Sequence, residues 1–305
     1  MRRALDGTAV ATMFVLCCVW ALQQIAIKAV AGDVSPFVQV AVRSGIAAGI
    51  VWILGRCVMR ERWLRGVALR AGVVVGGLFA TEFLLVAEGI RYTTASHVVV
   101  LLYTAPIFAA IGLHLRFPNE RLSLPQWGGV ALTFAGIAIA LLMEAPGART
   151  GQAMFGDLLA LCGGVAWGAT TLAVRVSRLS EAPPTQTLFY QLLGAFVVVL
   201  PVSMASGQMH RVTGPLVWAS LAFQTLIVSV VSFLVWFWLL RRYVAAPLGI
   251  LSLLTPLIGV FLGYAMLGDR LTIPFIIGAA FALAGLVIVS GHAIVTRRAT
   301  VTRIS

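Results

Sequence analysis

Charged residues are scarce in this sequence. Only 10% of its 305 residues are charged, and only ten are Asp or Glu. Soluble domains carry about 25% charged residues. With 60% hydrophobic residues and a mean hydropathy of +1.00, a soluble fold could not cover the apolar surface. The composition therefore indicates an integral membrane protein.

The motifs of common enzyme and metal sites are also missing. The sequence contains no phosphate-cradling G-x-x-x-x-G-K-[ST], no H-E-x-x-H and no G-x-S-x-G. None of the four cysteines forms a C-x-x-C pair. We therefore expect no metal, no cofactor and no enzyme activity, and a gradient as the driving force. A membrane enzyme acting on lipid-linked substrates would need polar residues clustered at one interface, and the sequence offers none.

Long apolar runs, in contrast, are abundant. A helix needs about 20 mostly apolar residues to cross the hydrocarbon core. This predicts an all-α polytopic membrane protein with ten transmembrane helices. The predicted spans are 8–30, 36–55, 67–91, 93–115, 127–143, 155–176, 186–205, 217–240, 245–267 and 273–295.

The basic residues mark the ends of these spans. The net charge of +12 could suggest nucleic acid, but the arginines punctuate apolar runs instead of forming a basic patch, so we expect no nucleic-acid partner. With the N-terminus in the cytoplasm, sixteen arginines fall on the cytoplasmic side. Four fall on the other side, namely Arg91, Arg149, Arg211 and Arg270. The asymmetry predicts that both termini are cytoplasmic.

One turn motif occurs twice in the sequence. "NERLSLPQWGG" begins at Asn119 and "GDRLTIPFIIG" at Gly268, and their acids, Glu120 and Asp269, are 149 positions apart. Gly129 and Gly136 correspond to Gly278 and Gly285 at the same offset. Matches in one order over more than 140 residues indicate an internal duplication.

The predicted repeat unit has five spans, which is an odd number. The second copy must then enter the membrane from the opposite side. We therefore predict two inverted five-helix repeats, residues 1–148 and 149–305, around a central cavity. Such inverted repeats are a transporter architecture in which the substrate binds near the midplane.

These motifs resemble the drug/metabolite transporter superfamily, in its ten-span EamA-type branch. The first-span "CCVWALQQIAIKAV" is echoed by "GGVAWGATTLAVRV", and "TAPIFAAIGLHLRFPNERLSLPQWGG" by "TPLIGVFLGYAMLGDRLTIPFIIG". The resemblance covers nearly the whole chain. It implies export or exchange of small polar molecules, often amino acids, across the inner membrane of a bacterium by alternating access. "TEFLLVAEGIRYTTASHVVVLLYTAP" is similar to exporters of aromatic and other amino acids, but other residues replace two of their aromatic residues.

Glu82 is the first candidate for chemistry. It lies in the middle of the apolar stretch "GGLFATEFLLVA". An ionisable residue at membrane depth is a functional hypothesis by default. We expect Glu82 to bind a substrate ammonium or to carry a proton. The structural alternative is a carboxyl group that is protonated or bonded to a neighbouring helix.

Two helix stripes supply further candidates for substrate binding. Residues at i, i+4 and i+8 share one face of a helix. The mid-span tryptophans are expected to line an apolar pocket with an amide or hydroxyl one turn later. Interfacial anchoring is the alternative. The first stripe is Trp20, Gln24 and Lys28, and the second is Trp167, Thr171 and Arg175.

The fourth and ninth spans contribute Tyr103, His97 and Ser252. Pro106 and Pro256 free backbone carbonyls from helix bonds, which predicts either ligands or kinks satisfied by neighbours. His97 could shuttle protons, although its place near a span end allows it to be solvated. Of Trp236 and Trp238, at most one faces the cavity.

Three of the remaining charged residues, Lys28, Arg175 and Arg43, have two interpretations each. Lys28 and Arg175 lie near span ends and either snorkel to headgroups or act as gates beside Asp33 and Glu181. Arg43 either holds a substrate carboxylate or bonds backbone carbonyls. Glu88 and Asp157, near span ends, are expected to be solvated.

The sequence thus predicts a secondary transporter that exports amino acids, with the bilayer, a small substrate and protons as its partners. Alternative substrates are drugs, nucleosides and sugars. A polytopic membrane enzyme is the alternative of a different class. The substrate, the coupling ion and the direction of flux do not follow from the sequence.

Overall fold

The computed structural model describes residues 6–118, 121–143, 151–205, 214–243, 248–249 and 251–302. Side chains are not described at 67, 141–142, 240–241 and 290–302. Some residues used in the repeat and orientation arguments lie outside the described residues. They are Arg2, Arg3, Glu120, Arg149, Arg211 and Arg303, together with the predicted repeat boundary at 148.

Every secondary-structure element in these ranges is a helix. In chain order they are α1 Gly7–Ala29, α2 Pro36–Ile53, α3 Val67–Tyr92, α4 Ala95–Leu102, α5 Ala105–Arg116, α6 Leu124–Leu142, α7 Gly151–Val176, α8 Pro184–Ala205, α9 Pro215–Ala222, α10 Phe233–Arg242, α11 Leu254–Leu267 and α12 Ile273–Thr302. A π-helical turn, Leu54–Val58, extends α2, and a longer one, Phe223–Ser232, joins α9 to α10.

Seven helical stretches within the described part of the chain are long and apolar enough to cross a membrane. They are Gly7–Ala29, Pro36–Val58, Ala68–Tyr92, Ala95–Arg116, Gly151–Val176, Pro184–Ala205 and Pro215–Leu239. Three more apolar helices are shorter, namely Leu124–Ala140, Leu254–Leu267 and Ile273–Val289. The prediction of an all-helical membrane protein is confirmed. The count of ten spans stays a prediction.

Local sequence explains where several helices begin and break. Thr94 caps α4 by accepting a hydrogen bond from the backbone N–H of His97 at 3.2 Å. Ahead of Pro106 the fourth span breaks at Tyr103 and Thr104, so α4 and α5 are separate helices. A turn at Ser252 and Leu253 likewise precedes Pro256 and α11. A proline cannot donate the helix bond that would continue through it, so a break on its N-terminal side is expected.

Helices α6 and α12 pack backbone to backbone through glycines. A Cβ on Gly129 would lie 2.8 Å from the carbonyl oxygen of Gly285. A Cβ on Gly136 would lie 2.5 Å from that of Gly278. Gly129 meets the later residue of α12 and Gly136 the earlier one. The two helices therefore run antiparallel where they touch.

Two other helix pairs show the same reversal. In α2 and its extension, Gly45 faces Phe196 and Gly55 faces Thr185 of α8. Between α4 and α11, Val99 faces Gly259 and the earlier Ser96 faces Gly263. In both pairs a later residue of one helix meets an earlier residue of the other, so both pairs are antiparallel.

Asp6 caps the N-terminus of α1 and binds Tyr243. Its carboxylate accepts hydrogen bonds from the N–H of Ala9 at 2.8 Å and from the hydroxyl of Tyr243 at 2.8 Å. The Ala9 bond, followed by the Tyr243 bond, lowers the pKa of Asp6 from its ordinary value. A lowered pKa stabilises the fold above the unfolded-state pKa of about 4, and this contribution is lost as the pH falls through the folded-state pKa.

We expect Asp6→Asn to lower the melting temperature slightly near neutral pH. The difference from the wild type should shrink below about pH 4, where the carboxylate takes up its proton. Thermal unfolding of both proteins in the same detergent, measured across that pH range, checks this. A difference that grows in acid would contradict it.

Candidate functional site

Glu82 lies in the middle of α3, as the sequence predicted, and only 5% of its surface is exposed. The backbone at Glu82 packs close to Gly163 of α7, where a Cβ would lie 3.6 Å from the Glu82 carbonyl oxygen. Its Oε2 atom is buried without a hydrogen-bond partner. The carboxyl group is thus enclosed between helices without the structural hydrogen bond that was the alternative reading.

Arg43, on α2, is the second buried charge, with 2% of its surface exposed. Its guanidinium lies over the ring of Phe83, 4.4 Å from the ring centre. Within the described chain it makes no hydrogen bond, and its Nε atom is buried and unpaired. Backbone carbonyls therefore do not hold Arg43, which corrects that reading. Phe83 follows Glu82 directly in the sequence, so the guanidinium lies beside the part of α3 that carries the carboxyl group.

The first-span tryptophan belongs to an aromatic pair between α1 and α10. The indole N–H of Trp20 donates to the Ser232 hydroxyl at 2.9 Å, and its ring meets Trp236 edge-on at 5.7 Å. Trp236 is half-buried, whereas Trp238 is 42% exposed. At most one of the two faces inward, and the structure places Trp236 there.

Tyr103 and Trp167 form a second aromatic pair, between the end of α4 and α7. Their rings meet edge-on at 5.3 Å, and Tyr103 is buried. The Tyr103 side chain also lies close to Thr255. This group therefore joins α4 and α7 to α11.

The polar members of the two stripes have different surroundings. Gln24 is buried and its Oε1 atom lacks a hydrogen-bond partner. Thr171 is exposed, and its hydroxyl donates to the carbonyl of Trp167 in its own helix. Ser252 is half-buried and donates to the Gly249 carbonyl at 2.7 Å. Gln24 therefore faces the interior, whereas Thr171, its counterpart in the second stripe, is exposed.

His97 and Asp157 form a buried pair between α4 and α7. The His97 Nδ1 and the Asp157 Oδ2 are 3.1 Å apart, and the side chains are 5% and 0% exposed. The other Asp157 oxygen accepts from the Thr93 hydroxyl at 2.5 Å. The imidazole stacks on Phe275 at 4.0 Å. Asp157 was expected to be solvated because it lies near a span end, and solvation was one of the two interpretations of His97. The burial of both side chains corrects these expectations.

Asp269 and Lys28 extend this polar junction. Asp269 is buried and accepts from the N–H and the hydroxyl of Ser96, at 3.0 and 2.7 Å. The Lys28 ammonium donates to the carbonyls of Ile90 and Thr93, at 2.5 and 2.8 Å. Lys28 therefore caps the C-terminal end of α3 instead of snorkelling to the headgroups, because those carbonyls have no partner within the helix.

Arg175 lies near the C-terminal end of α7, whereas Asp157 lies near its start. It is exposed and borders an open cleft of about 470 Å³, which Phe117, Pro118, Arg178 and Glu181 also line. α4 begins beside His97 and α5 ends beside Phe117. The cleft and the polar junction are therefore at opposite ends of the bundle.

The structure brings four of the predicted site residues together in two aromatic pairs. Tyr103 and Trp167 form one pair, and Trp20 and Trp236 form the other. Sequence reasoning gave no role to Asp157 or Thr255. Asp269 did carry a signal, since it is the acid of the repeated turn.

The model of the EamA-like transporter family matches the chain twice, over residues 7–142 and residues 154–291. The chain belongs to the EamA-like transporter family. It is thus a multi-pass membrane protein of a transporter family.

Relatives of this EamA-like chain are also named as transporters. It is 22% identical to the uncharacterized transporter YoaV of Bacillus subtilis, over 88% of this chain and 91% of that protein. It is 25% identical to an uncharacterized transporter of Archaeoglobus fulgidus, over 88% of this chain and 92% of that protein. It is 28% identical to a "Probable amino-acid metabolite efflux pump" of Salmonella typhimurium, over 70% of this chain and 72% of that protein.

A solved crystal structure has the same fold as this EamA-like chain. The two superimpose with a TM-score of 0.67 at 19% identity. The match covers 96% of this chain and 99% of the other. At this identity the likeness concerns the fold alone.

Proposed function

We propose that this EamA-like chain is a secondary transporter that exports amino acids across the inner membrane. It works by alternating access between two inverted five-helix repeats, residues 1–148 and 149–305, and both termini are cytoplasmic. The observation that carries the proposal is the match of one transporter family to each half of the chain. It is no enzyme in this proposal, and its partners are the substrate, the bilayer and protons.

The antiparallel helix contacts support the inversion. The sequence repeat relates α6 to α12, α2 to α8 and the fourth span to α11. In each of these pairs the two helices run in opposite directions where they touch. The α6–α12 contact also maps onto itself, because the repeat converts Gly129 and Gly285 into Gly278 and Gly136. Such self-complementary contacts are expected about a two-fold axis in the membrane plane.

The contrast between the two ends supports alternating access. The junction of His97, Asp157 and Asp269 links α4 to helices of the second half and closes one end. At the other end Arg175 borders the open cleft. With a cytoplasmic N-terminus, the closed end faces away from the cytoplasm. In this proposal Lys28 and Arg175 mark the two gates, and the breaks before Pro106 and Pro256 allow them to move.

The substrate assignment rests on the charge and the walls of the site. Glu82 supplies a buried carboxyl group that suits an ammonium, or a proton when no substrate is bound. Trp20, Trp236, Tyr103 and Trp167 supply apolar walls, with Gln24, Thr171, His97 and Ser252 as the polar candidates. The relative named for amino-acid metabolite efflux supports the same substrate class.

We expect purified protein in liposomes to transport labelled amino acids saturably. Glu82→Gln should lower the initial rate by at least about tenfold, because it removes the buried charge that the ammonium meets. The matched control is Glu88→Gln, which changes a partly exposed acid on the same helix and should keep the wild-type rate.

Each result of this experiment decides one part of the proposal. Acceleration by a pH gradient would support proton coupling, and indifference to it would indicate a facilitator. Flux of nucleosides, sugars or cationic drugs without amino-acid flux would refute the substrate assignment. Product formation without any flux would refute the transporter and favour a membrane enzyme.

A further inference from the structure

Arg43 and Glu82 are two buried side chains of opposite charge, and each has a polar atom without a hydrogen-bond partner. Arg43 is 2% exposed and Glu82 is 5% exposed. Buried polar atoms in proteins nearly always have hydrogen-bond partners, and buried charges are nearly always paired. Yet Arg43 Nε and Glu82 Oε2 have none. Among the described side chains that bury an unpaired polar atom, these two are the charged ones, and they lie on the neighbouring helices α2 and α3.

A direct ion pair between Arg43 and Glu82 does not explain why both are buried. The described contacts include no hydrogen bond or ion pair between the guanidinium and the carboxylate. The Phe83 ring covers one face of the guanidinium at 4.4 Å. A guanidinium held by its face keeps its N–H donors, which lie at the edge, available for an acceptor.

The chemistry of the pair limits what could complete it. A simple anion would satisfy Arg43 and leave Glu82 unpaired, and a simple cation would do the reverse. A small molecule that carries both charges a few bonds apart would satisfy both. We propose that Arg43 binds the carboxylate and Glu82 the ammonium of a zwitterionic α-amino acid.

This inference rests on the proposed function, since it names how that transporter recognises its substrate. It adds Arg43 to the site and makes both charges of the amino acid necessary. The side chain of the substrate then lies outside the two-charge contact, toward the aromatic walls.

The test measures equilibrium binding to the purified full-length protein, so that it does not depend on flux. The twenty amino acids are screened by thermal stabilisation in detergent. The tightest binder is then compared with its amide, which lacks the carboxylate, and with its deaminated acid, which lacks the ammonium. We expect the wild type to bind the amino acid at least tenfold more tightly than either analogue.

Variants assign each charge to its partner. Arg43→Gln should lower the affinity for the amino acid to that for the amide and leave the affinity for the amide unchanged. Glu82→Gln should do the same with respect to the deaminated acid. Arg91→Gln, which changes a partly exposed arginine at the end of α3, is the matched control and should keep all three affinities.

The outcomes separate this inference from the proposed function. Binding with this discrimination but no flux in liposomes would sink the transporter and keep the zwitterion site. No binding of any amino acid to the wild type, or equal affinity for the three probes, would overturn the site without any variant. Variants that lower the melting temperature but keep the discrimination would mean that the two charges serve only each other.

Discussion

Replacing Asp157 by alanine is expected to destabilise the protein by about 3–5 kcal/mol, the usual cost of breaking a buried pair. The carboxylate is fully buried and accepts from both the Thr93 hydroxyl and the His97 ring. Its removal takes one acceptor from two buried groups, in a place where water cannot easily replace it. The loss should appear as a lower midpoint of unfolding in detergent.

Two further variants show whether burial is the cause. Asp157→Asn keeps one acceptor oxygen of similar shape and should lose about half as much stability. Glu88→Ala removes a partly exposed acid that pairs with Arg91 at 2.7 Å, and should cost no more than about 1 kcal/mol. If Asp157→Ala and Glu88→Ala lowered the midpoint equally, the buried junction would not be a special source of stability.

The burial of acids in the middle of a span could be predicted from the sequence, whereas the burial of acids at a span end could not. An acid in mid-span, such as Glu82, is predictably buried, because helix length places it at membrane depth and an ionisable residue there faces the bundle interior. An acid at a span end is not, because its exposure depends on which helices cover that end. Asp157 and His97 are 60 positions apart, and only the packing of α4 against α7 brings them together.

Helix periodicity predicted which residues share one face of a helix, but not which other helices pack against that face. Trp20 and Gln24 share the inward face of α1, as the spacing predicted. Thr171 occupies the equivalent position on α7 and is exposed. The antiparallel contacts between repeat-related helices agree with the inverted repeat that the sequence predicted, although the repeat itself stays a prediction.

Adjacent glycines also show that the sequence predicts a packing face but not which residue makes the contact. The sequence pairs Gly76 with Gly77 and Gly128 with Gly129, and both members of each pair could serve helix packing. The structure separates them. A Cβ on Gly76 or Gly129 would meet the backbone of another helix, whereas a Cβ on Gly77 or Gly128 would meet nothing within 4 Å.

Gly136→Ala is therefore expected to destabilise the protein strongly, although alanine is the better helix former. The new methyl carbon would lie 2.5 Å from the Gly278 oxygen and 2.5 Å from the Ala282 nitrogen. Backbone atoms cannot rotate away as a side chain can, so α6 and α12 would have to separate. We expect a loss of about 3 kcal/mol, at the upper end of the usual range for overpacking.

Gly128→Ala is the matched control on the same helix. Its Cβ meets open space, so the gain in helix propensity should leave stability unchanged or raise it by up to about 1 kcal/mol. Gly278→Ala should reproduce the loss from the opposite side, since its Cβ would lie 2.5 Å from the Gly136 oxygen. Thermal unfolding followed by size-exclusion chromatography measures all three variants. Equal midpoints for Gly136→Ala and Gly128→Ala would show that α6 and α12 do not meet through these glycines, and the self-complementary contact that supports the inverted repeat would be lost with them.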